Sequence, residues 1–334
     1  VKKFFVFNKL KFIAAFLILA AFPAGCGVEG KNYPHPPEPQ IGPGKLIVFY
    51  GGPNGINGAD SADDPIGAAA AEFAKYDMAV LGAGIEDSGH GAHDAAVEIM
   101  NHPLTESVEF FGYIDLGVLT NNYPIEDIRT RVDQWIAAGA DGIFFDDFGY
   151  DYDVTRERQN AAAAYVHSKG KNIIANAWDP DHVFGSAVDT EFNTAGTAPV
   201  INSGDYYLCE SYQIAVGEFV PEIYWRGKSS KLDAYRAQYG TKIIALTTNS
   251  VAGVYSENKF HFAWYSAYIE GFDAIGWGEY LFSVDNAAPW RARPDAEFGS
   301  RFIDTIKQDG NRWYRRTDIL EVWINTSTRV YGVY

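Results

Sequence analysis

Two short runs place carboxylates where chemistry needs them. In DGIFFDDFGY, from Asp141 to Tyr150, the apolar residues Ile143, Phe144 and Phe145 lead directly into Asp146 and Asp147. In DYYLCESY, from Asp205 to Tyr212, a lone Glu210 ends an apolar stretch. A carboxylate delivered by the end of a buried strand stands at an opening, where it acts as acid, base or nucleophile. The alternative for Asp146 is capping of the next helix. That helix is expected about eight residues further on, too far for an N-cap, which contacts only the first turn. Asp147 either meets a ligand or holds a neighbour in place, and an ion pair is the alternative for Glu210. With side chains alternating along a strand, Glu210 pointing inward sends Cys209 outward, as a small core residue.

These residues need elements to position them. Strand-like apolar runs occur at Leu46–Tyr50, Met78–Gly82, Glu109–Leu116, Gly142–Asp146, Asn172–Ala177, Tyr206–Glu210, Lys242–Thr247 and Asp273–Trp277. Helical stretches are expected between them, at Ile66–Lys75, Ile125–Ala138, Thr155–Ser168, Ser230–Tyr239 and Glu257–Gly271. Gly139, Gly170, Gly240 and Gly271 each fall just before a strand, where a helix ends in left-handed geometry. Eight such units predict an α/β fold, a (β/α)8 TIM barrel, and no strand-to-helix turn carries the glycine pattern of a dinucleotide or phosphate loop.

In such a barrel the site lies at the strand C-termini. There the chain places Tyr50, Asp115, Asp146 with Asp147, Asn176 with Trp178, Glu210 with Tyr212, Thr248 with Asn249, and Trp277 with Glu279. Carboxylates for chemistry and flat rings for stacking are what a sugar site requires. Tyr50, Trp178, Tyr212 and Trp277 are therefore expected to line the mouth. The fourth and sixth strands are two steps apart, about 10 Å at roughly 4.8 Å per step. Inward-leaning side chains can shorten that toward the roughly 5 to 5.5 Å of a retaining carboxylate pair, which favours retention and leaves the wider inverting gap as the alternative.

Tyr113 before Asp115, the run from Asp141 to Asp151, Asn176 after NIIA, and Glu210 in YLCESY resemble the family 114 glycoside hydrolases and the related hydrolase domains of Pel polysaccharide proteins. The resemblance covers about Leu46 to Trp277. It implies a (β/α)8 enzyme cutting α-1,4-linked galactosamine polymers internally, with the catalytic Asp at Asp146 and the catalytic Glu at Glu210. Tyr113, Asp115, Asp147, Asn176 and Glu279, beside or at the strand ends, are expected to bind substrate, and no cofactor is expected. Two departures stand out: Asp146-Asp147 where the family often has Asp-Asn, and Gly117-Val118 where it has Gly-Glu. The competing reading is a polysaccharide-binding surface protein on a barrel without catalysis.

The rest of the chain bounds the setting. Lys2, Lys3, Lys9 and Lys11 precede an apolar run from Phe12 to Phe22 and the small residues before Cys26, which reads as a secretory signal over residues 1–26 with Cys26 at a lipobox, ordinary cleavage being the alternative. A spacer with five prolines in KNYPHPPEPQIGPG makes residues 27–44 a linker, and the barrel body is expected over 45–310. The protein is thus expected to be exported and held at the membrane by a lipid on Cys26. Formal net charge is −16, more negative still without the four leading lysines, so nucleic acid is not expected as a partner; the acidity either keeps the protein soluble or also steers a cationic polymer toward it. His90 and His93 lie in a Gly-rich loop without a third ligand, so no metal site is expected. Asp60–Asp64 is expected to open the first helix with Pro65. A last helix is expected at Ala296–Lys307, and ILEVWI-NTST-RVYGVY reads as a β-hairpin within an extension over 311–334.

Overall fold

The computed structural model describes residues 42–249 and 254–334. The signal, Cys26 and nearly all of the linker lie outside them. Among the described residues, no helix is long and apolar enough to cross a membrane.

Eight parallel strands close into a barrel in chain order: β1 (Gly44–Phe49), β2 (Met78–Leu81), β3 (Glu109–Asp115), β4 (Gly142–Asp146), β5 (Asn172–Asn176), β6 (Tyr206–Glu210), β7 (Lys242–Leu246) and β8 (Ala274–Gly276), which pairs back to β1. This is the (β/α)8 barrel, each strand within a residue or two of its expected position. Strand alternation sorts its apolar residues into two clusters. Leu46, Val48, Phe111, Phe144, Ile174, Leu208 and Ile244 fill the interior. Their neighbours Ile47, Phe49, Phe110, Phe145, Cys209 and Ile243 pack outward against the helices.

The helices are α1 (Pro65–Phe73), α2 (His93–Met100), α3 (Ile125–Ala138), α4 (Arg156–Ser168), α5 (Pro180–Phe184), α6 (Glu222–Tyr239) and α7 (Glu257–Glu270). Asp64 caps α1 by accepting from Gly67 N–H at 3.0 Å, with Pro65 at the first position. Gly139 ends α3 at φ 112° and Gly271 ends α7 at φ 66°, the left-handed terminations expected there. Gly112 is needed for packing: a Cβ there would meet the Trp135 indole at 2.1 Å, so its absence lets α3 lie directly on β3. The sequence reading missed α2 and α5 and the first eight residues of α6.

The C-terminal region departs from expectation. No helix forms over 296–307. Gly299 sits at φ 92°, and Phe298 and Phe302 both turn onto Tyr268, with ring centroids 4.9 and 5.4 Å away. A three-residue strand, β9 (Lys307–Asp309), starts instead and pairs with β10 (Arg312–Arg316), β11 (Glu321–Asn325) and β12 (Val330–Val333) in a four-stranded antiparallel sheet. The expected hairpin is its outer half, β11 with β12. Val322 and Ile324 are fully buried residues of this sheet.

Candidate active site

The barrel brings the two carboxylates together through a third residue. Asp146 ends β4 and is 3% exposed, and Glu210 ends β6. Between them, at the end of β5, the side-chain nitrogen of Asn176 donates to Asp146 Oδ1 at 2.8 Å and to Glu210 Oε2 at 2.8 Å. Both oxygens lie within 2.8 Å of one nitrogen, which keeps them no more than roughly 5.6 Å apart. The other oxygen of Asp146 accepts from the Tyr113 hydroxyl at 2.9 Å. Strand order explains the convergence: β5 lies between β4 and β6, Phe145 pairs with Ala175 and Asn176 with Leu208, and Glu210 is the next inward position of β6 beyond that pair.

Phenols complete the floor. The Tyr50 and Tyr113 rings meet edge to face at 5.4 Å, and Phe282 meets Tyr50 at 5.1 Å. Burial pushes the Tyr50 hydroxyl well above its ordinary range, and the charges of Asp146, Glu210 and Asp147 push it further. Tyr113 is raised by burial first and by Asp146 next. Both stay neutral and remain donors.

Asp147 is buried next to the pair with φ 53°. Asp115 is buried, but its oxygens serve its own loop, accepting from Gly117 N–H at 2.7 Å, Thr120 at 2.7 Å and Asn121 at 2.6 Å. Burial nevertheless raises its pKa, outweighing those bonds. Asp115 therefore holds the loop after β3 in place. Glu279 is engaged by Arg291 Nε at 2.7 Å.

Of the four rings expected at the mouth, two are elsewhere. Trp178 is 59% exposed, with the Lys228 ammonium 5.0 Å from its ring centre. Tyr50 is half-buried in the floor. Tyr212 is 2% exposed, its hydroxyl 2.8 Å from Ser266 and its ring 5.0 Å from Phe272 in the helix layer. Trp277 is 7% exposed and packs on Tyr255 at 5.2 Å and Phe260 at 5.8 Å. Alternation accounts for Trp277: Ala274 faces in, so Trp277, three residues on, faces out. At Tyr212 a local break decides: Ser211, at φ 58°, interrupts the extended backbone after Glu210 and turns the next ring outward.

Phe282 was not foreseen. It arrives on a loop after β8 in which Leu281, Phe282 and Ser283 have φ of 48°, 52° and 61°, and its carbonyl accepts from Tyr50 N–H at 2.7 Å. Periodicity does not reach such a loop. Among the described residues, no group of His, Cys, Asp and Glu is arranged to hold a metal.

No family model matches the chain, and no curated protein matches it. Solved structures similar to it include the glycoside hydrolase domain of PelA from Pseudomonas aeruginosa, at 15% identity over 70% of this chain and 95% of that one, with TM-score 0.42. A variant of AmyP in complex with maltotriose is similar at 12% identity over 84% and 86%, with TM-score 0.49. The carboxyl transferase domain of Rhizobium etli pyruvate carboxylase is similar at 13% over 78% of this chain and 46% of that one, with TM-score 0.43. Hydrolases and a carboxyl transferase share this likeness, so the chemistry must be read from the chain's own residues.

Proposed function

We propose that this protein is a retaining glycoside hydrolase, with Asp146 as nucleophile and Glu210 as general acid and base. The observation that carries the reading is the single amide nitrogen of Asn176 bonded to both carboxylates. It holds the nearest oxygens of the two carboxylates no more than roughly 5.6 Å apart, which suits a retaining pair. In the proposed reaction Asp146 attacks the anomeric carbon while Glu210 protonates the leaving oxygen. Glu210 then takes a proton from the water that releases the glycosyl group from Asp146, so the proton given in the first step is recovered in the second. An attacking carboxylate must be ionised and therefore accepts only, and the donors Tyr113 and Asn176 satisfy both Asp146 oxygens in that form. The amide also fixes the aim of both groups before substrate arrives.

The substrate we propose is an α-1,4-linked galactosamine or N-acetylgalactosamine polymer, cut internally. The supports are the motif resemblance, the acidic field that draws a cationic chain, and the exposed Trp178 beside the mouth as a stacking surface. We further propose that the protein is exported and anchored through a lipid on Cys26. The test is incubation with galactosamine-containing exopolysaccharides and assay of new reducing ends. Binding of the polymer without new ends would instead establish the binding-protein reading.

A further inference from the structure

A polar cavity lies at the end of the barrel where the strands begin, opposite the carboxylates. It is about 920 Å³ in volume and is bounded by strand starts, α6, the end of α7 and Arg315 of the appended sheet.

Among the described residues, two guanidinium groups in its wall have donors to spare. An arginine carries five N–H groups. Arg226 uses Nη1 on Glu270 and lies 4.6 Å from the Trp313 ring centre. Arg315 gives Nε to the Asp304 carbonyl at 3.0 Å and Nη1 to the Ile269 carbonyl at 3.2 Å, with its plane 3.7 Å from the centre of Phe302. The aromatic backing fixes both forks, and among the described residues Arg315 has no carboxylate partner. Arg236, by contrast, is spent on Asp233 and on the carbonyls of Glu270 and Gly271.

The acceptors on the lining are mostly satisfied. Glu109 takes the Tyr206 hydroxyl at 2.9 Å, and Asp273 takes Ile243 N–H at 2.8 Å. Glu270 is the exception: 3% exposed, it bonds Arg226 through Oε1 while Oε2 has no hydrogen-bond partner among the described residues. A buried polar atom left so costs free energy unless a ligand or water completes it.

We propose that this cavity binds a small oxyanion, a phosphate or carboxylate group, held by the forks of Arg226 and Arg315 with Glu270 as the third contact. Planar guanidinium pairs match such a group through two parallel hydrogen bonds. Glu270 contributes in its neutral form, donating Oε2–H to the anion. Burial pushes its carboxyl up to about 7, against the opposing pull of Arg226, while Asp233 raises it further. The appended sheet then has a task, since it supplies Arg315 and, at Trp313, the ring behind Arg226.

The test is calorimetric titration of the purified full chain with inorganic phosphate and, separately, with acetate, at ionic strength held constant with chloride. One saturable site for either anion is expected, and which one binds says whether the pocket takes a tetrahedral or a planar group. Arg315→Gln and Arg226→Gln should each raise Kd at least tenfold, and Glu210→Gln should leave it unchanged because that residue sits at the opposite mouth. Should a glutamine variant fail to fold, Arg315→Lys keeps the charge without the fork and should still weaken binding severalfold. A crystal soaked in selenate should show anomalous density between Arg226 and Arg315. Absence of saturable binding for both anions, or density only beside Asp146, overturns the proposal whatever the protein hydrolyses.

Discussion

Asp147 and Ser211 share a backbone conformation: with φ of 53° and 58°, each non-glycine residue sits in the left-handed region directly after an inward carboxylate. Such a conformation costs on the order of 1 kcal/mol per residue and persists only where surrounding contacts enforce it. At Ser211 one such contact is the bond to the Thr248 hydroxyl at 2.9 Å. Ser211→Gly relieves the strain and releases the chain behind Glu210. We expect stability within about 1 kcal/mol of the parent, the relief offsetting the lost bond, together with a severalfold drop in kcat. Thermal melts beside turnover measurements check it, and unchanged turnover would make the strain purely architectural.

Asp146→Asn should abolish the covalent intermediate. Glu210→Gln should reduce turnover by about 10²-fold or more, yet a substrate with an activated leaving group should recover much of the first step, because that group departs without protonation. Azide should rescue the second step of Glu210→Ala by replacing the activated water. Mass spectrometry of trapped intermediate, with rates on both substrate classes, decides the assignment; full activity in both variants would remove it.

The aromatic residues separate into two outcomes. Trp178→Ala removes an exposed ring and should weaken polymer binding with little change in melting temperature. Trp277→Ala opens a hole between barrel and helices and should cost roughly 3 to 5 kcal/mol. Tyr212→Phe deletes the hydroxyl's bonds to Ser266 and Gln213 and should cost about 1 to 2 kcal/mol. Denaturant melts beside polymer-binding isotherms distinguish them, and a Trp178→Ala protein that unfolds would show that ring to be structural.

Glu270 should make stability depend on pH. Its carboxyl titrates at about 7 in the folded protein, against an ordinary value of 4.5. The folded state therefore binds the proton more tightly than the unfolded state, and stability falls as pH rises through that window. The contribution is absent below about pH 4.5 and its full cost, roughly 3 kcal/mol at most, is reached above about pH 7. Relative to Glu270→Gln, the parent should lose stability between pH 5 and pH 8. Urea melts of both proteins at these two values measure it, and parallel curves would refute the assignment.

For the proposed export, Cys26→Ala should block lipid attachment and move the protein out of the membrane fraction. Fractionation with metabolic labelling by a fatty acid checks it. An unlabelled parent protein would remove the lipid anchor from the account.

Local information was enough for the barrel and for the carboxylates. Buried strands alternate with helices that end on glycine, and the period of two fixes which side of a strand each residue faces, so Asp146 and Glu210 could be placed inward and Cys209 outward from the order of residues alone. The same period, applied past Gly276, would have turned Trp277 outward. What needed the tertiary structure were properties of more than one strand or of irregular backbone. Asn176 bridges two carboxylates only because β5 lies between β4 and β6 and Glu210 follows two residues after the partner of Asn176, and that depends on register between segments tens of residues apart. Asp115 is claimed by its own loop and Tyr212 is turned out by the left-handed Ser211, neither of which any periodicity encodes. An irregular segment stands where the helix over 296–307 was expected because Phe298 and Phe302 gain more by packing on Tyr268 than a short helix containing Gly299 would gain alone. Long-range burial outweighed local propensity there, as it does where Arg226 of α6 and Arg315 of the sheet come to the wall of one cavity.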